Sequence, residues 1–178
     1  MTTERLVRGL LQVYTGDGKG KTTCALGLAF RAVGQGFKVF MVQFLKGRET
    51  GDARAAARLA PEMTLRVTGR PGWVKRRAPA PEDLARFRAA WELARSVIAA
   101  GEHDLVILDE INLALDHGFL PLEETLAVLR QRPPGVEVVL TGRRAPRELM
   151  ELADLVTEMH PVKHYYQAGV RARRGIEW

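Results

Sequence analysis

The sequence predicts an α/β fold, a mostly parallel sheet of about six strands flanked by helices. Three observations carry this expectation. Short apolar runs alternate with longer amphipathic stretches along the chain, the pattern of strands joined by helical crossovers. Several of the runs are apolar throughout, as strands are when helices cover both faces of a sheet. The 178 residues, 46% hydrophobic and 27% charged, have globular composition and the length of one domain of ordinary size.

The elements follow in order. The first strand is read over residues 10–14, an apolar run that ends at a glycine-rich turn, and the first helix over 22–35. A second strand at 39–44 precedes a helix at 52–59, and a third at 63–67 precedes the longest helical stretch, 81–100. The fourth strand, 105–109, is the most apolar and ends in acids; a helix at 122–132 follows it. The fifth strand at 136–141 leads to a helix at 147–152, and the sixth strand covers 155–159. Met41 and Met63 fall on strands and are read as core, and Cys24, on the apolar side of the first helix, as a buried small residue.

Two segments leave this rhythm: a basic loop over 68–81 that contains Trp73, Lys75, Arg76 and Arg77, and a tail over 161–178 that mixes Lys163, Arg171, Arg173 and Arg174 with aromatics. Irregular segments of that length are usually functional or disordered. With no repeat and no linker-like composition, residues 1–178 are read as a single domain carrying these two segments.

Lysine and arginine number 27 against 21 aspartates and glutamates, a net charge of +6, and 21 of the 27 cations are arginine. That balance suits an anionic partner, since the guanidinium group binds phosphate and carboxylate in a bidentate manner. The single cysteine excludes an internal disulfide, a CxxC pair and a cysteine-based metal site. No apolar run is long enough to span a bilayer, and residues 1–8 are charged rather than signal-like, so the expected setting is cytoplasmic, without a membrane.

The strongest local signal is Gly16-Asp17-Gly18-Lys19-Gly20-Lys21-Thr22-Thr23, set after a strand and opening a helix. That is the setting of a P-loop and makes the expected fold a three-layer P-loop type. Glycines allow backbone N–H groups to face phosphate oxygens, the helix N-terminus and Lys21 add positive charge, and Thr22 offers a hydroxyl to magnesium. The loop is one residue shorter than the usual spacing, so terminal phosphoryl transfer does not follow from the motif alone. Residues 105–110, Leu-Val-Ile-Leu-Asp-Glu, place Asp109 and Glu110 at the carboxyl edge of the sheet, where either can hold magnesium directly or through water. Thr141-Gly142-Arg143 ends another strand at the same edge, with Arg143 in reach of phosphate.

Taken together, these residues resemble the P-loop corrinoid adenosyltransferases of cobalamin biosynthesis. The resemblance spans nearly the whole chain. It rests on the short loop, on Val42 to Gly47 (VQFLKG), on Trp73, on Leu108-Asp109-Glu110 and on Leu120 to Glu124 (LPLEE). It continues through Thr141-Gly142-Arg143, Leu152-Ala153-Asp154, Val162-Lys163-His164, Gly169-Val170 and Arg174 to Glu177 (RGIE). The resemblance implies transfer of the 5'-deoxyadenosyl group of ATP to the cobalt(I) of a corrinoid with release of triphosphate, and a triphosphate held in the reverse sense to ordinary P-loop proteins. It implies that Gly16 to Thr23, Arg143, Trp73 and His164 bind the substrates. Lys21, Thr22, Glu110 and Arg143 would carry the chemistry, and Thr22 with Asp109 or Glu110 would hold magnesium. ATP and a reduced corrinoid are the implied substrates, an external electron donor such as a flavoprotein the implied reductant, and a homodimer the implied assembly. The family commonly has a phenylalanine shortly before the tryptophan; Arg70, Pro71 and Gly72 stand here instead.

Two other readings use the same residues. A P-loop NTPase or small-molecule kinase would release ADP and transfer the terminal phosphate. A nucleic-acid-binding regulator would use Lys75, Arg76, Arg77 and the Arg171 to Arg174 cluster, with Trp73, Tyr165 and Tyr166 to stack bases, although no module motif for it is present.

Overall fold

The computed structural model describes residues 5–47, 50–69 and 79–177. Trp73 and most of the basic loop therefore lie outside the described residues. Six strands form one sheet: β1 (Leu11–Thr15), β2 (Val39–Gln43), β3 (Met63–Val67), β4 (Leu105–Asp109), β5 (Glu137–Thr141) and β6 (Leu155–Glu158). Their order is β3-β2-β4-β5-β1-β6, and every pairing is parallel. The helices are α1 (Lys21–Gly34), α2 (Gly51–Ala57), α3 (Pro81–Ala100), α4 (Ile111–Asp116), α5 (Leu122–Arg130) and α6 (Arg147–Leu152). A 3₁₀ turn, Tyr165–Ala168, lies in the tail.

Strand order and crossover handedness together set the layers. From β1 to β2 and from β2 to β3 the chain moves toward one edge of the sheet; from β3 onward every crossover moves the other way. Right-handed crossovers then put α1 and α2 on one face and α3 to α6 on the other. The buried side chains divide accordingly. One cluster joins Ala25, Ala29 and Ala32 of α1 and Ala56 of α2 to Tyr14, Met41, Ile107 and Val139. The other joins Phe87, Trp91, Ala94 and Ile98 of α3 and Leu126, Leu129 and Leu149 to Val13, Val42, Val106, Leu108 and Leu140. Because β4 is covered on both faces, all five of its residues are buried, which is why it reads as an unbroken apolar run.

Local chemistry starts and stops the helices. Pro81 sits in the first turn of α3 with Glu82 and Asp83, and Gly101 ends the helix in the left-handed conformation. The Thr50 hydroxyl accepts from the Ala53 N–H at the start of α2. Met41 and Met63 are core, as expected. Cys24 is not: it lies on the exposed side of α1, because the buried stripe of that helix runs through Ala25, Ala29 and Ala32 instead. The short helix α4 is an element that the periodicity does not predict. It buries Ile111, Asn112, Ala114 and Leu115, but six residues are too few to establish a helical period. Among the described residues no helix is long and apolar enough to cross a membrane.

Candidate active site

The chemistry-bearing residues converge on the carboxyl ends of β1, β2, β4 and β5, four strands at the centre of the sheet. They line a cavity of about 600 Å³. Its floor is the loop from Asp17 to Thr23; Lys46, Glu110 and Arg143 form one side, and His164, Tyr165 and Gly175 to Glu177 form another.

Glycine is required in the loop by packing. Gly16 has φ +90°, and a Cβ there would stand 2.5 Å from the Met159 carbonyl oxygen; at Gly18 the same oxygen would be 2.7 Å away. The loop is thus pressed against the end of β6. The Gly18 N–H donates to the Met159 carbonyl at 2.6 Å and the Met159 N–H to the Thr15 carbonyl at 2.9 Å. The Gly18 N–H, expected from the sequence to face phosphate, is therefore engaged within the protein. Lys21 crosses the loop from the start of α1 and donates to the carbonyls of Gly16 and Gly18, both at 2.7 Å. An ammonium has three donors, so one remains for a ligand. Burial lowers the Lys21 pKa, partly countered by Glu110.

Asp109 and Glu110, alternatives on the sequence alone, have different positions. The Asp109 carboxylate is fully buried. Its Oδ1 accepts from the hydroxyls of Thr22 and Thr141, both at 2.7 Å, and its Oδ2 from Gln43 Nε2 at 3.2 Å, with the Lys46 ammonium at 3.4 Å. Four donors saturate it, and it is absent from the cavity lining, so it stands behind Thr22. Glu110 faces the cavity. Its backbone has φ 65°, in the left-handed region that non-glycine residues rarely adopt, and its N–H donates to the Thr141 hydroxyl at 3.0 Å. The turn of the backbone directs consecutive carboxylates to different places.

Burial and the neighbouring Asp109 raise the Glu110 pKa, against Lys21, Lys46 and Arg143, which lower it. For an acid whose pKa is raised on folding, the ionised form carries an energetic penalty in the native state. That penalty is absent below the ordinary carboxylate pKa and fully present above the raised one. Glu110→Gln is therefore expected to melt at a higher temperature than the wild type at neutral pH. Thermal melts from pH 4 to 8 check this: the difference should vanish at the acid end.

Three residues here have no role assigned to them from the sequence. Lys46, after β2, pairs with Asp52 at 3.0 Å and with Asp109. Burial works against its charge, and the two carboxylates more than offset that, so its pKa is raised. Thr141 links Asp109 to the Glu110 backbone, and Asn112 Nδ2 donates to the carbonyls of Tyr14 and Gly142, joining β1 to the loop after β5. The strings around Lys46 and Thr141 are visible in sequence; the contact partners are not. Arg143 lines the cavity, with Nε 3.7 Å from Asp17 Oδ1. His164 also lines it, its Nδ1 accepting from the Tyr166 N–H. Thr23 is exposed at the rim.

The profile of the family described as ATP:corrinoid adenosyltransferase BtuR/CobO/CobP matches residues 7–178. The chain belongs to this family. As a member it is a transferase that acts on ATP and a corrinoid. It is 42% identical over 172 residues to a corrinoid adenosyltransferase of Pseudomonas aeruginosa, covering 96% of this chain and 84% of that one. It is 41% identical over 172 residues to one of Escherichia coli, covering 96% and 86%. Among solved structures, the flagellar accessory protein FlaH of Methanocaldococcus jannaschii matches with a TM-score of 0.59 over 86% of this chain and 72% of that one. At 11% identity that likeness concerns the fold alone.

Proposed function

We propose that the cavity at the carboxyl edge of the sheet holds the triphosphate of ATP while the cobalt(I) of a corrinoid attacks the ribose 5'-carbon. The carbon–oxygen bond breaks, the cobalt–carbon bond forms, and triphosphate leaves intact. The observation that carries this reading is the convergence of Lys21, Lys46 and Arg143 with Thr22 and Glu110 around one cavity. Because the attacking metal centre is itself the nucleophile, the protein needs no general base. Its contribution is to fix the 5'-carbon in line and to stabilise the charge that grows on the departing oxygen.

The site also fits magnesium. Thr22 and Glu110 supply hard oxygen donors at the cavity wall. No group of three or more His, Cys, Asp or Glu side chains stands ready to hold a metal among the described residues. An ion here would thus complete its shell with phosphate oxygens and water, as magnesium usually does. Bound there, it would neutralise charge on the triphosphate. Glu110 and Thr22 are assigned as its ligands, and Asp109 as the acceptor that orients the Thr22 hydroxyl.

Trp73 and the basic loop are assigned to cover the corrin, whose flat apolar face suits an indole. With Cys24 as the sole cysteine, the electron that reduces cobalt(II) comes from an external donor, such as a flavoprotein. A homodimer in the cytoplasm completes the reading. The test is incubation of the protein with ATP, magnesium and a chemically reduced corrinoid, following the absorbance change of the new cobalt–carbon bond and identifying the phosphate product. Triphosphate supports the reading; ADP would make the protein a phosphoryl-transfer enzyme instead.

A further inference from the structure

The Lys19 ammonium has three donors, and each meets an acceptor: the Tyr165 hydroxyl at 2.8 Å, Glu177 Oε1 at 2.8 Å and the Ile176 carbonyl at 3.3 Å. All three acceptors belong to the segment after Pro161. Glu177 is the point on which that segment closes. Its carboxylate accepts from the Arg173 backbone N–H at 2.6 Å, from Arg173 Nη2 at 3.1 Å and from the Tyr165 hydroxyl. The Arg173 guanidinium also lies 4.9 Å from the centroid of the Tyr165 ring. Though the surrounding backbone is exposed, the Glu177 side chain is only 17% accessible. The two lysines of the loop thus differ: Lys21 binds the loop's own carbonyls, while Lys19 reaches outward to another segment.

We infer that Glu177 is a positioning residue that fastens segment 161–177 to the phosphate loop through Lys19, so that Tyr165 and Ile176 wall the cavity and retain the nucleotide. The inference rests on ATP occupying that cavity. It revises the direct phosphate contact expected of Lys19, whose donors are all engaged while the fastening holds. Its hydrogen bonds to Glu177 and Tyr165 raise the Lys19 pKa, and contacts with Arg173, Lys19 and Tyr165 hold the Glu177 carboxyl well below the usual carboxylate range. Both partners are therefore charged throughout the neutral range.

The test is the release rate of a fluorescent N-methylanthraniloyl ATP from the full chain with magnesium, chased by unlabelled ATP. Wild type, Glu177→Gln, Lys19→Met and the double variant are compared. Glu177→Gln is expected to release the nucleotide about three- to tenfold faster, as befits a partly exposed charged network. In turnover the KM for ATP should rise by a similar factor with kcat unchanged. The double variant should release no faster than the faster single variant. Trypsin should cut after Arg171, Arg173 and Arg174 more quickly in Glu177→Gln, at an unchanged melting temperature. Wild-type release from Glu177→Gln, or effects that multiply in the double variant, would overturn the inference. Failure of the wild type to bind the nucleotide would overturn it together with the site assignment. Faster release from a protein that forms no adenosylated corrinoid would uphold the fastening and remove only the proposed chemistry.

Discussion

Lys21→Met is expected to lower kcat/KM by about 10²–10³-fold, the usual consequence of removing one preorganised donor from the place where negative charge develops. Two features make Lys21 the most sensitive cation of the site. It is buried, 7% exposed, so its charge acts through little intervening water. Its position is also set in advance by the carbonyls of Gly16 and Gly18. The same burial predicts what happens to stability. A lysine whose pKa is lowered on folding bears a penalty for its charge, fully present below the lowered pKa and gone above the ordinary lysine value. Removing the charge then offsets the loss of the two loop contacts, and the melting temperature should move by only a few degrees. Steady-state kinetics beside a thermal melt separates the two effects, and wild-type turnover would take the phosphate loop out of the chemistry.

Asp109→Ala should lower stability as well as activity. The side chain is fully buried and accepts from Thr22, Thr141 and Gln43 beside the Lys46 ammonium. Removing one partner of a buried charge pair typically costs about 3–5 kcal/mol, because the other charge is left uncompensated. Lys46 keeps Asp52, which puts the expected loss at the lower end, about 3 kcal/mol. For a domain of this size that is roughly 6–12 °C in melting temperature. Denaturant titration measures the loss, and adding Lys46→Met to Asp109→Ala should restore part of it, since no unpaired cation then remains. A loss under about 1 kcal/mol, the scale of an exposed ion pair, would mean that the network contributes little. Turnover should also fall, because the Thr22 hydroxyl loses the acceptor that orients it.

Much of the site is legible in the amino-acid sequence, because its signals are local. The loop from Gly16 to Thr23 and the apolar strand ending in Asp109-Glu110 are each short, continuous strings, and the strand-to-helix setting of the loop adds to its meaning. The elements that sequence patterns misplace are those whose state depends on distant partners. The pattern puts Cys24 on the buried side of α1, yet the face that meets the sheet is decided by the alanines at 25, 29 and 32. The helix α4 leaves too short a trace for a period. Sequence does not tell Asp109 from Glu110, because the difference lies in one positive φ angle and in donors contributed by β2, β5 and α1. Lys19 reads as a phosphate contact because its neighbours in sequence are loop glycines, whereas Tyr165 and Glu177, its partners in space, lie 146 and 158 residues away.

The α/β class, the positions of the strands, the glycine-rich loop and the strand that ends in acids are all written in the amino-acid sequence. These follow from periodicity and from chemistry between near neighbours. Only the tertiary structure decided the strand order β3-β2-β4-β5-β1-β6, and with it which cations and hydroxyls surround Asp109, which carboxylate faces the cavity, and that the segment after Pro161 closes on the loop. Such choices are made by packing two helical layers on one sheet and by pairing charges across long stretches of chain. Their energies are set by burial and distance, and a linear pattern records neither.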